Sequence, residues 1–433
     1  MRETIRRCAI IIACSAVLLG IAPRDGETLL YVFNGSGDGA FPYGGLVADA
    51  GGSLYGTTFG GGKFFAGTAF ELAKSGSGGY VERVLHSFRG RKDGAGPQAA
   101  LIADSAGALY GTTAFGGVGC PGRYGCGTVF RLTPHDSDYK ERLLYSFTGG
   151  LDGKNPQGSL LADAAGNLYG TTASGGGSAE CPSGCGTVFE LSRQRGAYVE
   201  SVLYAFQGGA DGAYPVGGLI ADAKGDLYGT TEDGGLAACM QGCGTVFELT
   251  ATQGTYSKSI LYTFSGGTDG AKPAAGLIAD ASGALFGTTE FGGKISGPCT
   301  GSYPGCGTVF SLAPKSGAYV ESILHAFSVG DGAYPVAPLL AGRGGTLYGT
   351  TQGGGSYGFG GGTVFELTKS KRDYVESVLY SFAGQGGESG GLPLAGLIVD
   401  SDGVLFGTTS VGGNANPYCS ENGGCGTVFQ IQK

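Results

Sequence analysis

Residues 219–231 read Leu-Ile-Ala-Asp-Ala-Lys-Gly-Asp-Leu-Tyr-Gly-Thr-Thr, and close copies of this stretch recur along the chain. The Leu-Tyr-Gly-Thr-Thr string, with Phe for Tyr in two copies, occurs seven times at spacings of 55 to 62 residues. A fixed period of this length indicates one supersecondary unit copied along the chain. The aromatic residues of the seven copies are Tyr55, Tyr110, Tyr169, Tyr228, Phe286, Tyr348 and Phe406.

Each unit contains four short runs of β-branched and aromatic residues, which we name strands A to D. Strand A precedes an Asp-x-x-Gly turn, B carries Leu-Tyr-Gly-Thr-Thr, C carries Gly-Thr-Val-Phe or a variant, and D resembles residues 198–206. Asp caps such a turn and Gly adopts the positive φ of a tight hairpin, although the sixth unit has Gly342 in the Asp place. The pattern predicts an all-β fold, a seven-bladed β-propeller of four-stranded antiparallel blades.

The two ends of the chain predict how the ring closes. The first predicted strand, residues 27–33, is a strand D, and the last, residues 426–431, is a strand C. The N-terminal strand should therefore join the C-terminal blade and remove the open edges. We expect a single propeller domain over residues 27–433. An open β-solenoid is the alternative, and it would not need a blade shared between the ends.

Composition excludes several classes of protein. The 91 glycines disfavour long helices, whereas 14% charged and 41% hydrophobic residues disfavour disorder. The net charge is −8, and the sequence shows no basic patch beyond the N-terminus. Nucleic acids and anionic membrane surfaces are therefore not expected as partners.

The N-terminus has the pattern of a secretory signal. Arg2, Arg6 and Arg7 precede an apolar stretch, residues 9–22, that is short for a membrane span. We predict a signal peptide over residues 1–22, and hence an exported protein that is extracellular, periplasmic or on the cell surface. An uncleaved anchor and lipid modification at Cys14 are the alternatives. No later stretch is long and apolar enough to cross a bilayer.

The whole repeat unit also carries a resemblance. Asp-x-x-Gly-x-Leu-Tyr-Gly-Thr-Thr, followed by Gly-Thr-Val-Phe-x-Leu, Leu-Tyr-x-Phe and Gly-x-Asp-Gly-x-x-Pro, resembles the bacterial GloVer tandem-repeat family over residues 27–433. The resemblance implies uncharacterised exported bacterial proteins, often with a C-terminal sorting anchor. Because Lys433 directly follows the last predicted strand, we expect no such anchor here. The resemblance implies no particular chemistry.

Ten of the twelve cysteines form five local pairs between strands B and C. Five units contain both members of a pair and two units contain neither, which is the pattern that disulfides produce. Metal binding is the alternative, but two thiolates without a nearby His pair fall short of a four-ligand zinc site. Cys8 and Cys14 belong to the predicted signal. The predicted disulfides are Cys120–Cys126, Cys181–Cys185, Cys239–Cys243, Cys299–Cys306 and Cys419–Cys425.

The B–C and D–A loops of a propeller emerge on the same face, which we call the rim face and where we expect any ligand to bind. Six D–A loops share an Asp-Gly step, which favours a turn role, with a calcium site as the alternative. These candidate residues are Asp38, Asp93, Asp152, Asp211, Asp269 and Asp331.

Residues that break the repeat on this face are the better candidates for ligand binding. Aromatic rings beside carboxylates suit sugars or peptides, although ordinary polar loop positions have the same composition. The charged candidates are Arg123, Glu180, Glu232, Asp233, Glu290, Lys294 and Glu421. The aromatic candidates are Phe115, Tyr124, Phe291, Tyr303 and Tyr357.

Catalytic patterns are sparse, and we predict no catalytic residue, no metal ligand and no cofactor. His86 and His325 replace Tyr in strand D and His135 lies in a C–D turn, so we expect none at the rim and no base for a Ser-His-Asp triad. The predicted function is a monomeric binding or scaffolding propeller for a glycan or protein. One alternative is a secreted carbohydrate-active hydrolase or lyase that uses Glu232 or Asp233 with Glu290 as acid and base. The other alternative is a structural envelope protein.

Overall fold

A computed structural model describes residues 26–433 except residues 77, 121–123, 137, 296–297, 302, 372 and 414–417. The predicted signal peptide, with Cys8 and Cys14, lies outside the described residues. The rest of the chain forms seven four-stranded antiparallel sheets, which we number as blades 1 to 7. The predicted β-propeller is therefore confirmed.

Within each blade the strands are hydrogen-bonded in the order A-B-C-D. Blade 1 contains β2 (Val47–Ala48), β3 (Leu54–Thr58), β4 (Thr68–Lys74) and β5 (Tyr80–Ser87). Blade 2 contains β6 (Ile102–Ala103), β7 (Leu109–Thr113), β8 (Thr128–His135) and β9 (Asp138–Ser146). Blade 3 contains β10 (Leu161–Ala162), β11 (Leu168–Thr172), β12 (Thr187–Gln194) and β13 (Ala197–Ala205). Blade 4 contains β14 (Ile220–Ala221), β15 (Leu227–Thr231), β16 (Thr245–Thr252) and β17 (Thr255–Thr263). Blade 5 contains β18 (Ile278–Ala279), β19 (Leu285–Thr289), β20 (Thr308–Lys315) and β21 (Ala318–Ala326). Blade 6 contains β22 (Leu340–Ala341), β23 (Leu347–Thr351), β24 (Thr363–Ser370) and β25 (Asp373–Ser381).

Blade 7 combines both ends of the chain. Its strands are β26 (Ile398–Val399), β27 (Leu405–Thr409), β28 (Thr427–Ile431) and the N-terminal β1 (Glu27–Val32). Strand β1 pairs antiparallel with β28, with Glu27 opposite Ile431 and Val32 opposite Thr427. This pairing confirms the predicted closure. The only other regular elements among the described residues are short 3₁₀ turns at Gly209–Asp211, Arg343–Gly345, Gly358–Gly360 and Ser420–Asn422.

A ring of threonine hydroxyls joins neighbouring blades. In strand B of blade 4, Thr230 Oγ1 donates to the carbonyl oxygen of Ala275 at 2.8 Å, and this Ala275 leads into blade 5. Five further hydroxyls do the same, and Thr408 of blade 7 completes the circle by donating to the carbonyl oxygen of Gly44 at 3.3 Å. The second Thr of each Leu-Tyr-Gly-Thr-Thr or Leu-Phe-Gly-Thr-Thr string is instead within 2.8 Å of the first Thr of strand C.

The hydrophobic core lies between the blades. The Phe that follows strand D packs edge-to-face on the strand C Phe of the next blade, as Phe206 does on Phe247 with ring centroids 5.2 Å apart. Phe33 repeats this contact with Phe70 across the closure between blades 7 and 1. These rings are fully buried, and burying one contributes about 1.5–3 kcal/mol. The repeated Phe positions therefore hold each blade to its neighbour.

Glycine is required where strand B passes under this ring. A Cβ on Gly229 would lie 2.7 Å from Phe247 Cζ. The A–B turns follow the predicted chemistry, since Asp222 Oδ1 accepts hydrogen bonds from the backbone N–H groups of Lys224 and Asp226. In blade 6, where Gly342 replaces this aspartate, the 3₁₀ turn Arg343–Gly345 takes its place.

All five predicted disulfides are present, each between strands B and C of one blade. They confirm the pairing expected from the sequence. Over the described part of the chain, no helix has the length and apolar character needed to cross a membrane.

Candidate binding surface on the rim face

The rim face is built on seven residues that each precede a proline. Lys272 is one of them, with a left-handed backbone at φ 59°. Its N–H donates to the carbonyl of Cys243 in blade 4, and its carbonyl accepts from the N–H of Glu290 in blade 5. A non-glycine residue in this conformation costs about 1–3 kcal/mol and persists only where its surroundings fix it. The side chains at these seven positions therefore stand at fixed places between blades. The positions are Phe41, Gly96, Asn155, Tyr214, Lys272, Tyr334 and Leu392.

The six aspartates of the D–A loops close turns within their own loops. Asp269, for example, accepts hydrogen bonds from the backbone N–H of Ser265 at 2.8 Å and from the Tyr262 hydroxyl at 3.2 Å. Asp38, Asp93, Asp152, Asp211 and Asp331 each accept a backbone N–H of their loop in the same way. This geometry matches the turn role that the sequence favours.

An acidic cluster lies between blades 4 and 5, and we define it as Glu232, Asp233, Lys272 and Glu290. The Lys272 ammonium is hydrogen-bonded and ion-paired to Asp233, and both side chains are at least nine-tenths buried. It also donates to the carbonyl oxygen of Met240 at 3.2 Å. The structure therefore brings together the three carboxylates that the sequence singled out, around a lysine that it did not.

Burial and mutual repulsion raise the pKa values of these carboxyls. Burial is the larger cause for Glu290, whose pKa rises to about 7, and the negative charge of Glu232 raises it further against the opposing charge of Lys272. The pKa of Glu232 is also raised, by burial and then by Asp233. Three carboxyls facing one ammonium thus hold a proton more strongly than isolated carboxyls do.

Aromatic rings border the acidic cluster. Phe291 is stacked on Tyr303 with centroids 5.0 Å apart, and the Tyr303 hydroxyl donates to Met240 O at 2.6 Å. The Lys272 ammonium lies 5.1 Å from the Tyr303 ring centroid. Tyr334 packs edge-to-face on Phe291, with ring centroids 5.5 Å apart. Two of the predicted aromatic candidates, Phe291 and Tyr303, therefore lie beside this cluster.

A cleft of about 750 Å³ lies on the opposite side of the rim, between blades 1 and 2. We call it the blade 1–2 cleft and define it by four aromatic and three basic residues. No acidic residue lines it among the residues that the structure describes. The defining residues are Phe59, Phe65, Phe115, Tyr124, Arg89, Arg91 and Lys92.

The aromatic and basic side chains of this cleft are accessible. Phe65 and Tyr124 are 62% and 71% exposed, and Arg91 and Lys92 are also exposed. Phe59 and Phe115 form the half-buried floor, with ring centroids 6.3 Å apart. The cleft combines flat apolar surfaces with exposed cations.

The sequence prediction that no basic patch exists beyond the N-terminus is wrong. Arg89, Arg91 and Lys92 lie close together in a single D–A loop and line the cleft together, and Lys63 of the blade 1 B–C loop lies near them. The Lys63 and Arg89 cations each lie 5.5 Å from the Phe64 ring centroid. The Arg-Gly-Arg-Lys run was the sequence signal for this patch.

The remaining predicted candidates are dispersed. Arg123 lies outside the described residues. Glu180, Lys294, Tyr357 and Glu421 are exposed in the loops of blades 3, 5, 6 and 7, and none of them belongs to either group defined above. Lys272, Phe65 and the three cations of the cleft were missed.

The two strand D histidines contact the rim loops, contrary to the sequence expectation. His86 Nε2 lies 3.0 Å from Asp93 Oδ2, and His325 Nε2 lies 3.2 Å from Asp331 Oδ2. Because strand D ends where the rim loop starts, its last residues face the loop aspartate. His135 is exposed beside Asp136, in a C–D turn as predicted.

Comparison with known proteins identifies a repeat family. A family model described as the Gloeobacter/Verrucomicrobia repeat matches residues 16–239 and again residues 237–433. No curated protein sequence matches the chain.

Solved structures resemble the chain at low sequence identity. A putative 6-phosphogluconolactonase from Bacteroides uniformis is 13% identical with a TM-score of 0.47, covering 84% of this chain and 88% of that one. A Lactobacillus plantarum protein is 12% identical with a TM-score of 0.48, covering 89% of both chains. A Trichoderma reesei carbohydrate-active enzyme of family AA12 is 12% identical with a TM-score of 0.43, covering 95% of this chain and 97% of that one. Similarities of this size carry no inference about activity.

Proposed function

We propose that this chain, which belongs to the Gloeobacter/Verrucomicrobia repeat family, is an exported binding protein whose blade 1–2 cleft holds an acidic glycan. The observation that carries the proposal is the lining of that cleft, which contains four aromatic rings and three cations and, among the described residues, no acidic one. A chain of net charge −8 otherwise repels anions, so a local group of cations is informative.

The chemistry of the cleft suits a sugar chain that carries carboxylates. The exposed parts of the Tyr124 ring and of the Phe65 ring, which also packs against Tyr418 with centroids 5.4 Å apart, offer stacking surfaces for pyranose rings. The Arg89 and Arg91 guanidiniums and the Lys92 ammonium complement carboxylates, because arginine pairs with them through two hydrogen bonds. The volume of about 750 Å³ is in the range of small-molecule sites.

Export is supported by the disulfides. Five bridges are typical of a protein that folds in an oxidising compartment, and the N-terminal pattern predicts a signal peptide over residues 1–22. Fractionation of cells that express the full chain, followed by N-terminal sequencing of the mature protein, tests this part of the proposal.

Binding is tested by titrating oligosaccharides of defined charge into the protein by calorimetry. We expect uronate oligosaccharides to bind and neutral glucose oligosaccharides of equal length to bind at least tenfold more weakly. The double variant Arg91→Gln/Lys92→Gln should lower uronate affinity at least tenfold and reduce its salt dependence. Phe65→Ala should lower the affinity several-fold and leave the salt dependence unchanged.

A matched control separates this site from general charge effects. Lys224→Gln/Lys315→Gln removes two positive charges from turns on the opposite face and should leave binding unchanged. Equal losses in both double variants contradict a site in the cleft. Polyglutamate binding as tightly as the uronate chain would replace the glycan with an acidic peptide as ligand. Absence of binding to either would favour a structural envelope role.

A second candidate function is glycan hydrolysis or elimination at the acidic cluster. One observation favours it: the pKa of Glu290 is raised to about 7 beside the second buried carboxyl, Glu232. Reducing-end assays on the same oligosaccharides test it. Glu290→Gln is the appropriate variant because Gln352 occupies the same position in blade 6. Turnover that is lost in this variant would support catalysis, and absence of turnover in the parent chain would contradict it.

A further inference from the structure

A second set of acidic groups lies at the interfaces between blades, and none of its members belongs to the acidic cluster or defines the blade 1–2 cleft. In strand D, one glutamate of each of five blades faces the rim-loop aspartate that precedes the blade. Burial, and then the negative charge of this aspartate, raises the pKa of the glutamate. The five pairs are Glu82 and Asp38, Glu141 and Asp93, Glu200 and Asp152, Glu321 and Asp269, and Glu376 and Asp331.

One carboxylate oxygen of each of these glutamates has no hydrogen-bond partner. In each of them, and in Glu27 at the same position of blade 7, Oε1 is buried and makes no hydrogen bond. A buried carboxylate oxygen without a donor is unfavourable, and here a second carboxylate faces it at five of the six interfaces. A histidine and one further cation offset part of this repulsion at Glu141 and at Glu376.

Blade 4 has a positively charged side chain at the position of these glutamates. Its strand D has Lys258 instead of glutamate, and the ammonium lies 2.8 Å from Asp211 Oδ1. The Lys258 side chain is only 4% exposed, so the interface accommodates a buried cation. The same location is therefore suited to a cation in the other blades.

Two interfaces add a histidine to this arrangement, His86 between blades 1 and 2 and His325 between blades 5 and 6, and among the described residues only the second brings three ligand atoms close together. Between blades 5 and 6, ligand atoms of His325, Asp331 and Glu376 all lie within 4.8 Å of one another. His325 and Asp331 are 17% and 22% exposed, so an ion can reach them from the outer edge. At this strand D position five blades have Tyr, whose neutral phenol is a poor metal ligand, and two have His.

We propose that His325, Asp331 and Glu376 bind a divalent transition-metal ion, Zn²⁺ being the best match, across the interface of blades 5 and 6. One imidazole nitrogen and two carboxylate oxygens form a three-residue ligand set, which leaves a fourth tetrahedral position for water. The metal supplies the positive charge that Lys258 supplies in blade 4. It also links two blades, because His325 and Asp331 come from blade 5 and its rim loop while Glu376 comes from blade 6.

The other charged group that faces this site is Lys294, in the B–C loop of blade 5. Its positive charge favours the ionised forms of both Asp331 and Glu376. Lys294 is exposed and competes with a metal ion for the same carboxylates. Its removal should therefore strengthen metal binding.

The experiment titrates the tag-free protein with Zn²⁺ in competition with a chromophoric chelator and follows Co²⁺ substitution by visible absorption. Variants are made in a His86→Tyr, His135→Gln background, so that His325 is the only histidine. We expect one bound ion, at least tenfold weaker binding in His325→Tyr, and tighter binding in Lys294→Ala. Tyr is the natural residue at this position in five blades, so His325→Tyr should fold.

A gain of binding completes the test. Tyr262→His in the His325→Tyr protein places an imidazole beside Asp269 and Glu321 and should restore one site. The proposal fails if His325→Tyr retains the Zn²⁺ affinity, or if Ca²⁺ binds as tightly as Zn²⁺ and independently of His325. Failure of glycan binding would leave this result unaffected, because the proposed metal site contains no residue of the acidic cluster or of the blade 1–2 cleft.

Discussion

The Lys258 ammonium nitrogen lies 2.8 Å from Asp211 Oδ1, at the position where each of the other six blades has a glutamate. The same aliphatic chain places its charge over the rings of Tyr204 and Phe206, at 5.3 and 5.2 Å from their centroids. Blade 4 therefore has a paired charge at an interface where the others have an unpaired acid. This difference leads directly to a measurable effect of pH.

Lys258→Glu should destabilise the protein more at pH 8 than at pH 5.5. The variant removes one partner of a buried ion pair and places two carboxylates together, which should cost about 2–3 kcal/mol at pH 8. At pH 5.5 the new carboxyl takes up a proton and the loss should be smaller. Thermal and urea unfolding at both pH values measure the difference. Lys224→Glu makes the same charge change on an exposed turn and should cost no more than about 0.5 kcal/mol. Equal losses at both pH values would argue against this view of the interface.

The parent protein should lose stability as the pH rises from about 5 to 8. Burial raises the pKa values of four glutamates, Glu27, Glu82, Glu200 and Glu321, from 4.5 to about 7. In Glu82, Glu200 and Glu321 the negative charge of a facing aspartate adds to this effect. Because the folded state holds these protons more tightly, their contribution is complete below pH 4.5 and is lost as the pH passes 7. After screening by solvent, each carboxyl should contribute on the order of 1 kcal/mol. Glu82→Gln should raise Tm at pH 8 and leave it unchanged at pH 5, whereas Glu180→Gln in an exposed loop should change neither.

Removal of residues 27–33 should produce aggregated or dimeric protein. The deletion exposes the edge of β28 and removes Phe33, whose ring packs on Phe70 with centroids 5.1 Å apart. Size-exclusion chromatography with light scattering measures the outcome, and a chain that starts at Gly26 is the control. A synthetic peptide of residues 26–34 should restore the monomer. A soluble monomer without the peptide would contradict the role of β1 in closing the ring.

Chymotrypsin should cut the native protein first in blades 1 and 6. Their B–C loops lack disulfides and carry exposed aromatic residues, Phe65 at 62% and Tyr357 at 59% exposure. After reduction, the loops that contain Tyr124 and Tyr303 should become susceptible as well. Each of these loops then loses the stabilisation that its disulfide provides, which is at most about 2–3 kcal/mol for loops this short. Mass spectrometry of the fragments gives the sites, and the uncut oxidised chain should be ten hydrogen masses lighter than the reduced one. Early cleavage at Tyr124 in the oxidised protein would be the contrary result.

The fold was predictable because its signals are local and repeated. The Asp-x-x-Gly turn, the Leu-Tyr-Gly-Thr-Thr strand and the cysteine pairs each act within one blade, so the sequence places them directly. The site was predictable only in part. Glu232 and Glu290 stand out because they break the repeat, but Lys272 lies in a variable position before a proline, and its contact with Asp233 depends on the left-handed backbone there.

Contacts between blades were the least predictable. The blade 1–2 cleft combines Phe59, the Arg89–Lys92 loop and Tyr124, which come from three different loops. Lys258 and Asp211, whose side chains are hydrogen-bonded, are 47 positions apart in the sequence. Repeat alignment shows which residue is unusual in a blade, whereas the partner it meets depends on the rotation between blades.

The short span of every disulfide bears on how the protein can be oxidised. Partner cysteines are four to seven residues apart, whereas the nearest cysteine of another pair, as for Cys185 and Cys239, is 54 residues away. Loop-closure entropy alone then favours the native partner by roughly thirtyfold in the unfolded chain. The five bonds can form in any order, each before its blade has met its neighbours, and reshuffling of wrong pairs should contribute little to the refolding time.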